Sequence, residues 1–234
     1  MELKTDALLL RTTDYGENDK MVTLFTAERG KIGVAMKGVK KAGAKLRFAA
    51  QPFCFAEYVL AERGGRYTVT AASLHDGFYP LREDVERYYA AACVCETCDA
   101  LLLDGIVNPT LLVRAVSALK EMEGASAPFA LVKFLLSALT AAGYPVSAGD
   151  CPACGNKLGE KLYFDLSSGS FFCGECAVGT PASPSTLSLI RLAMGEKGEM
   201  TADGVRRALK MLRAYLVYQT EEKFSILGEY IKTL

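Results

Sequence analysis

The chain has 234 residues and carries 27 basic and 27 acidic side chains, so its formal net charge is zero. Half of the residues are hydrophobic and 23% are charged, which is typical of a folded globular protein with a sizeable core. No apolar run reaches the roughly 18 residues that a membrane span needs, so we expect no membrane association. Residues 1–6 carry charge where a secretory signal needs an apolar core, and a cytoplasmic location is therefore expected.

The first 80 residues contain short segments that are rich in β-branched and aromatic residues and separated by glycine-containing turns. Five such strands must close or pair their edges to be stable. A small five-stranded barrel of the oligonucleotide-binding (OB) type meets this requirement, and we predict such a domain over residues 1–80. The predicted strands are residues 7–11, 21–26, 31–36, 52–60 and 66–71.

After residue 80 the spacing of apolar residues changes from two to about 3.6, which predicts an α-helical domain over residues 81–234. Residues 150–179 interrupt this helical pattern. Asn108 is a candidate N-cap, because Pro109 suits the first position of a helix. The clearest helices are predicted to begin at residue 81, after Asn108, near Ser126 and at Thr201, and the first is predicted to end around residue 104.

The interrupting segment contains two C-x2-C pairs, Cys151/Cys154 and Cys173/Cys176, with 18 residues between them. Two residues between paired cysteines let both thiolates reach one ion from a tight turn. Four thiolates close the coordination sphere, so the prediction is one structural Zn2+ per chain. Two free dithiols and an iron–sulfur cluster are the alternatives.

A third C-x2-C pair, Cys95/Cys98, has Cys93 beside it. This pair lies in a strongly helical segment and lacks the preceding strand of a thioredoxin-type motif. Buried helix cysteines are therefore favoured over a redox pair. Cys54 is assigned to the core, and His75, the only histidine, to a loop or the surface.

Residues 29–47 carry seven basic side chains and no acidic one. Because the whole chain is neutral, this positive charge is a local excess. A positive stretch among short strands and glycines indicates a phosphate-binding surface, with a merely solvated face as the alternative. The seven residues are Arg29, Lys31, Lys37, Lys40, Lys41, Lys45 and Arg47.

No familiar active-site motif is present, since the chain has no Walker-type phosphate loop, no H-E-x-x-H and no G-x-S-x-G. Asp14, Glu17 and Asp19 share one short turn and are assigned a structural role. We therefore predict that the protein is not an enzyme. A zinc-dependent enzyme needs an open coordination site, and four cysteine ligands leave none.

The order of motifs along the chain is similar to that of one known family. The N-terminal residues that carry this likeness are Arg11, Asp14 to Glu17, Asp19, Lys20, Leu24 to Thr26, Gly30, Lys31, Lys37, Gly38, Lys41, Lys45 and Gln51 to Phe53. Together with the helical region and the two cysteine pairs, they resemble the bacterial recombination mediator RecO over nearly the whole chain. The resemblance implies an α+β protein with an N-terminal five-stranded OB-fold barrel, followed by an α-helical domain with an inserted four-cysteine zinc knuckle at residues 150–179.

The resemblance also implies a non-catalytic role in DNA repair and homologous recombination. Members of this family bind single- and double-stranded DNA, anneal complementary strands, and work with RecR to load recombinase onto strands coated by single-strand-binding protein (SSB). RecF and the recombinase are further candidate partners, and the implied location is the cytoplasm, in association with the nucleoid. A zinc-stabilised adaptor that binds only proteins is the rival hypothesis.

The family motif, matched residue by residue, gives eight candidate DNA contacts. The four on the glycine-rich turn after the third strand, Lys37, Lys40, Lys41 and Lys45, rank first. The other four are Lys20, Arg29, Lys31 and Arg47.

Two further groups complete the candidate sites. Phe25 and Phe48 are candidates for base stacking, with the barrel core as the alternative. Arg206, Lys210 and Arg213 form a basic helix face that either meets the acidic C-terminal tail of SSB or is simply solvated.

Overall fold

The computed structural model describes residues 2–234, which divide into two compact units, one ending at Gly124 and the other beginning at Ala125. The first unit contains β1 (Glu2–Tyr15), β2 (Asp19–Thr26), β3 (Gly30–Met36), β4 (Phe55–Arg63), β5 (Arg66–Asp76), α1 (Tyr79–Glu83), α2 (Val85–Leu101) and α3 (Pro109–Met122). The second contains α4 (Ala127–Ala141), β6 (Leu162–Asp165), β7 (Ser170–Cys173), β8 (Thr180–Ala182), α5 (Pro184–Ala193), α6 (Ala202–Thr220) and α7 (Ser225–Thr233).

The strands of the first unit form a closed barrel in the order β1-β2-β3-β5-β4. β1 is longer than the predicted segment, and it closes the barrel because it pairs with two strands. Its first part pairs with β4 and its second part with β2, and the register shifts between Leu9 and Arg11. β3 and β5 pair in parallel, with Val34 opposite Tyr67. The prediction of a five-stranded OB-type barrel is confirmed.

The barrel core is built from alternate residues of the strands, as the two-residue period of a half-buried strand requires. Leu24, Val34 and Leu60 are fully shielded from solvent. Tyr58 is also fully buried, and its hydroxyl donates a hydrogen bond to the carbonyl of Ala49 at 2.8 Å. Burial of this polar group is therefore compensated inside the barrel.

The helix predicted from residue 81 to residue 104 is in fact two helices, α1 and α2, which is a correction. Asp84 between them is extended, with φ −124° and ψ 126°. Its carboxylate accepts a hydrogen bond from the backbone N–H of Arg87 at 2.9 Å, so it caps the start of α2. The predicted cap Asn108 is confirmed, because its side chain accepts from the N–H of Leu111.

The second unit combines helices with a three-stranded sheet in the order β7-β6-β8. α6 begins next to the predicted start at Thr201, and the Thr201 hydroxyl caps it by accepting from the N–H of Gly204 at 3.0 Å. The sequence did not predict α7, which follows left-handed residues at Glu221 and Phe224. Within residues 2–234, none of the helices has the length and apolar character that crossing a lipid bilayer requires.

Candidate metal centre and nucleic-acid interface

The four cysteines at residues 151–176 converge on one point. The hairpin of β6 and β7 places Leu162 opposite Cys173, so the second pair returns beside the first. All four sulfur atoms lie within 4.8 Å of one another, and those of Cys154 and Cys173 are 3.6 Å apart. A tetrahedral site with zinc–sulfur bonds of about 2.3 Å separates its sulfurs by about 3.8 Å. The cluster can therefore hold one metal ion.

Tight turns aim each pair of sulfurs. Gly155 adopts φ +73°, a conformation that glycine tolerates best, and its N–H donates to the carbonyl of Cys151 at 2.8 Å. In the second pair, the N–H of Ala177 donates to the carbonyl of Cys173 at 3.0 Å. The same local arrangement thus appears twice.

The surroundings of the cluster favour sulfur in the anionic form at one position. The backbone N–H of Cys173, together with those of Cys154 and Ala153, lowers the pKa of Cys151 to about 6. The Cys176 thiol instead donates hydrogen bonds to the sulfurs of Cys154, Cys151 and Cys173, and these bonds raise its pKa to about 12. Four thiols without a metal share protons in this way, and a bound cation replaces those protons.

The third C-x2-C pair is different in kind. Cys93, Cys95 and Cys98 are buried in α2, and the thiol of Cys95 lies 3.8 Å from the carbonyl of Leu9. Burial raises the pKa of Cys95 to about 12 and raises those of Cys93 and Cys98 well above the usual thiol value. The expectation of buried helix cysteines is confirmed. Cys54 is also buried, as expected.

We call residues 37–47 the basic loop. The loop is anchored to the turn between β1 and β2, because the carboxylate of Asp19 accepts from the N–H of Gly38 at 2.7 Å. Gly38 itself adopts φ +66°. Inside the loop, the guanidinium of Arg47 donates to the carbonyl of Lys41 at 3.0 Å. The loop therefore has a defined backbone on which to present its cations.

The eight candidate cations have unequal surroundings. Among residues 2–234, no carboxylate forms an ion pair with five of them, and all five are exposed. The other three have carboxylate partners. The five unpaired candidates are Arg29, Lys37, Lys41, Lys45 and Arg47.

Lys31 is the most strongly paired of the candidates. Its ammonium donates to the carbonyl of Asp99 at 2.7 Å and lies 3.2 Å from the Asp99 carboxylate and 3.7 Å from that of Asp104. Its side chain is only 16% exposed. Through these bonds Lys31 links β3 to α2 and to the loop after α2. Because its charge is already paired, Lys31 is not one of the proposed DNA contacts.

Lys20 and Lys40 share one partner, Asp14. The Lys40 ammonium lies 2.7 Å from the Asp14 carboxylate, and the Lys20 ammonium lies 4.0 Å from it. The hydrogen bond from Lys40 lowers the pKa of Asp14 below its usual value. These two lysines therefore carry a partly neutralised charge.

The structure selects among the alternatives that the sequence left open for three rings. Phe25 is fully buried and cannot stack on bases, whereas Phe48 is half-buried and packs against the barrel core. His75 lies in β5 and is exposed, so the surface position expected for it is confirmed. Its Nε2 atom is 2.7 Å from the carboxylate of Asp6. The structure also exposes three tyrosines that were not predicted as site residues, Tyr79, Tyr88 and Tyr89.

The basic face on α6 is only partly as expected. Arg206 and Lys210 are exposed and line a groove of about 460 Å³ between α6 and α7. Arg213 also lines it, but its guanidinium donates to the carbonyls of Phe224 and Lys223, both at 2.9 Å. Arg213 therefore also secures the turn between the helices. Sequence reasoning missed the other lining cations, Arg207 and Lys232.

Comparison with known proteins agrees with this architecture. Residues 1–78 match the family model "Recombination protein O N terminal", and residues 82–225 match "Recombination protein O C terminal". A DNA repair protein RecO from Desulfitobacterium hafniense is 34% identical over 200 residues, covering 82% of this chain and 73% of the relative. RecO proteins from Bacillus pumilus (32% identity, covering 82% of this chain and 77% of the relative) and Desulforamulus reducens (29%, covering 94% and 90%) are also similar. The chain therefore belongs to the RecO family of DNA repair and recombination proteins.

Proposed function

We propose that this protein is a non-catalytic recombination mediator that binds single- and double-stranded DNA through its N-terminal domain, residues 1–80. The observation that carries the proposal is the group of five exposed cations without carboxylate partners, four of which lie in the basic loop. Lysine and arginine neutralise phosphates and release counterions, which gives affinity without sequence preference. Two strands held on such a surface repel each other less, and complementary strands then anneal faster.

Salt dependence tests this mechanism directly. If all five cations reach phosphates, log affinity for single strands falls with log salt at a slope of about −3.5. Fluorescence anisotropy with a labelled oligodeoxythymidine measures this slope. An adaptor that binds only proteins would show no salt-steep binding.

A charge-reversal variant assigns the binding to the loop. Lys41→Glu combined with Lys45→Glu should weaken single-strand binding at least tenfold, which is about 1.4 kcal/mol. Lys197→Glu is the matched control, because Lys197 is an exposed lysine in the second unit. A change of less than about twofold in the loop variant, roughly 0.4 kcal/mol, would remove the loop from the interface.

We also propose that the ion held by Cys151, Cys154, Cys173 and Cys176 is Zn2+ and that its role is structural. Four sulfur donors in a tetrahedral arrangement suit zinc, and they leave no open position for a reacting water. When bound, the ion supplies cross-links between the two turns of the knuckle. The cysteines themselves hold the hairpin of β6 and β7 against the turn at residues 151–155.

For the groove between α6 and α7 we propose a protein partner, the acidic C-terminal tail of SSB. Arg206 and Lys210 supply positive charge, and Ile231 supplies an apolar contact in the same groove. Cation–carboxylate attraction beside an apolar wall suits a short acidic peptide. Arg206→Glu should abolish binding of such a peptide in a calorimetric titration. RecR, and also RecF and the recombinase, are proposed as further partners on the strength of family membership alone.

A further inference from the structure

Three tyrosines expose their rings on the outer side of α1 and on the first turns of α2. Tyr79 is 61% exposed and Tyr89 is 41% exposed, and Tyr88 is exposed to a slightly smaller extent. The rings of Tyr88 and Tyr89 meet edge to face at 6.1 Å, and Tyr88 also packs at 5.2 Å against Phe53. A grouping of large exposed rings is informative in a way that one exposed apolar residue is not.

An arginine accompanies these rings. The guanidinium of Arg82 lies over the ring of Tyr79, 5.2 Å from its centroid. Its Nη1 donates to the side-chain carbonyl of Gln51 at 3.3 Å, while its Nε makes no hydrogen bond. Among residues 2–234 no carboxylate forms an ion pair with Arg82. An arginine held in this way keeps its positive charge for a phosphate group.

The rings and the basic loop are connected by direct contacts within the first unit. The amide of Gln51 donates to the carbonyl of Arg47 at 3.3 Å, and the Arg47 guanidinium donates to the carbonyl of Lys41. Gln51 thus touches the loop on one side and Arg82 on the other. Since the Arg82 guanidinium lies over Tyr79, this chain of contacts links the basic loop to that ring.

The acidic residues beside the rings decide which part of a nucleic acid fits. Glu83 and Glu86 are exposed on the same helices, and Asp84 is exposed while it caps α2. Carboxylates in this position repel a phosphate backbone, but they do not repel the flat face of a base. Bases present that face in single strands, whereas in a duplex they are stacked inside.

We propose that Tyr79 and Tyr89, with Arg82 beside them, form a base-stacking surface that continues from the basic loop and favours single-stranded over duplex DNA. The proposal rests on the DNA binding proposed above for the loop. Stacking of a base on an aromatic ring tolerates any sequence, because every base has a π face. The loop supplies charge for both kinds of DNA, and the tyrosines add affinity for single strands alone.

The test compares two substrates and three variants. Tyr79→Ala combined with Tyr89→Ala should weaken binding of oligodeoxythymidine at least tenfold and change duplex binding less than twofold. Tyr79→Phe combined with Tyr89→Phe should keep single-strand affinity, because it keeps both rings. Tyr218→Ala, which removes an exposed ring from α6, should leave both affinities unchanged.

A second measurement does not depend on the variants folding. Photocrosslinking of the unmodified protein to 5-iodouracil oligonucleotides, followed by mass spectrometry, should attach the base to Tyr79 or Tyr89. Crosslinks found only elsewhere would overturn the proposal, as would equal losses for single strands and duplex in a folded alanine variant. An unmodified protein that binds neither substrate would instead overturn the DNA-binding function itself.

Discussion

The four-cysteine knuckle and the basic loop are both short segments that the sequence singles out, yet they are organised in opposite ways. In the knuckle, side chains from two turns point at one centre, with sulfurs within 4.8 Å. In the basic loop, the side chains of Lys37, Lys41, Lys45 and Arg47 are exposed and have no common centre. Metal coordination demands convergence, whereas phosphate binding demands only that cations be exposed and unpaired.

This difference determines what each segment contributes to the protein. Removing a metal ion from the four cysteines would take away a cross-link between the turns and the hairpin, so the second unit should lose stability. Removing charge from the exposed cations of the basic loop removes no buried contact. DNA affinity should therefore fall while the stability of the fold is unchanged. The predictions below test this separation, beginning with the largest effect.

The first prediction concerns the metal. Chelation, or the substitution Cys151→Ser, should abolish cooperative melting of the second unit, because structural zinc sites stabilise small folds by on the order of 10 kcal/mol near neutral pH. Metal analysis of the untreated protein should give about one zinc per chain. Cys98→Ala is the control, since Cys98 lies outside the cluster and should leave the zinc content unchanged. Unaltered melting after complete removal of the metal would contradict the structural role.

The second prediction separates the two kinds of C-x2-C pair by thiol reactivity. After chelation at pH 8, iodoacetamide should modify Cys151 much faster than Cys95, by more than about a hundredfold, because only thiolates react. Chelation opens the knuckle and exposes the Cys151 thiol, while burial in the first unit raises the pKa of Cys95 to about 12. Mass spectrometry of timed samples gives both rates. Equal rates in the folded protein would show that α2 does not protect its cysteines.

The sequence was sufficient for features whose cause is local. Spacing identified the cysteine cluster, because the ligand pairs and the hairpin between them lie within 26 residues. Strand periodicity and turn residues predicted the barrel, and the candidate cap Asn108 located the start of α3. The break at Asp84 was missed because apolar residues keep a helical spacing on both sides of it.

Features that depend on distant residues could not be read from the sequence. Lys31 looks like its neighbours in the charge run, but its partner Asp99 is 68 residues away. The apolar spacing after residue 80 predicted helices, but it did not show that the rings of Tyr88 and Tyr89 remain exposed on α2. Charge in the sequence therefore does not separate a paired cation from an unpaired one, and periodicity does not separate an exposed ring from a buried one.

The third prediction tests the distinction between structural and binding cations. Lys31→Met should lower the free energy of unfolding by about 1–3 kcal/mol, because it removes the hydrogen bond to the Asp99 carbonyl and the partly buried ion pair with the Asp99 carboxylate. Affinity for DNA should change by less than about twofold, which is roughly 0.4 kcal/mol. Lys45→Met should weaken DNA binding by more than about twofold and change the free energy of unfolding by no more than about 0.5 kcal/mol. Denaturant titrations and anisotropy measure the two quantities, and a stable Lys31→Met protein that has lost DNA binding would return Lys31 to the interface.

The smallest expected effect is at Asp14, whose carboxylate forms an ion pair with Lys40 of the basic loop. Asp14→Asn should free Lys40 and raise single-strand affinity by about two- to threefold, as one exposed ion pair is worth little. Because Lys40 lowers the pKa of Asp14 in the folded state, the pair stabilises the protein above the usual aspartate range. That contribution disappears as the pH falls through the lowered pKa.

The melting temperature of Asp14→Asn at neutral pH should consequently fall by about 2 °C or less. The difference between this variant and the unmodified protein should vanish in acid, where both side chains are neutral. Glu17→Gln is a suitable control, because it removes one negative charge from the same turn and leaves Asp14 with Lys40. If Glu17→Gln raises DNA affinity as much as Asp14→Asn does, the effect comes from net charge alone. The freed Lys40 ammonium would then make no contribution of its own to DNA affinity.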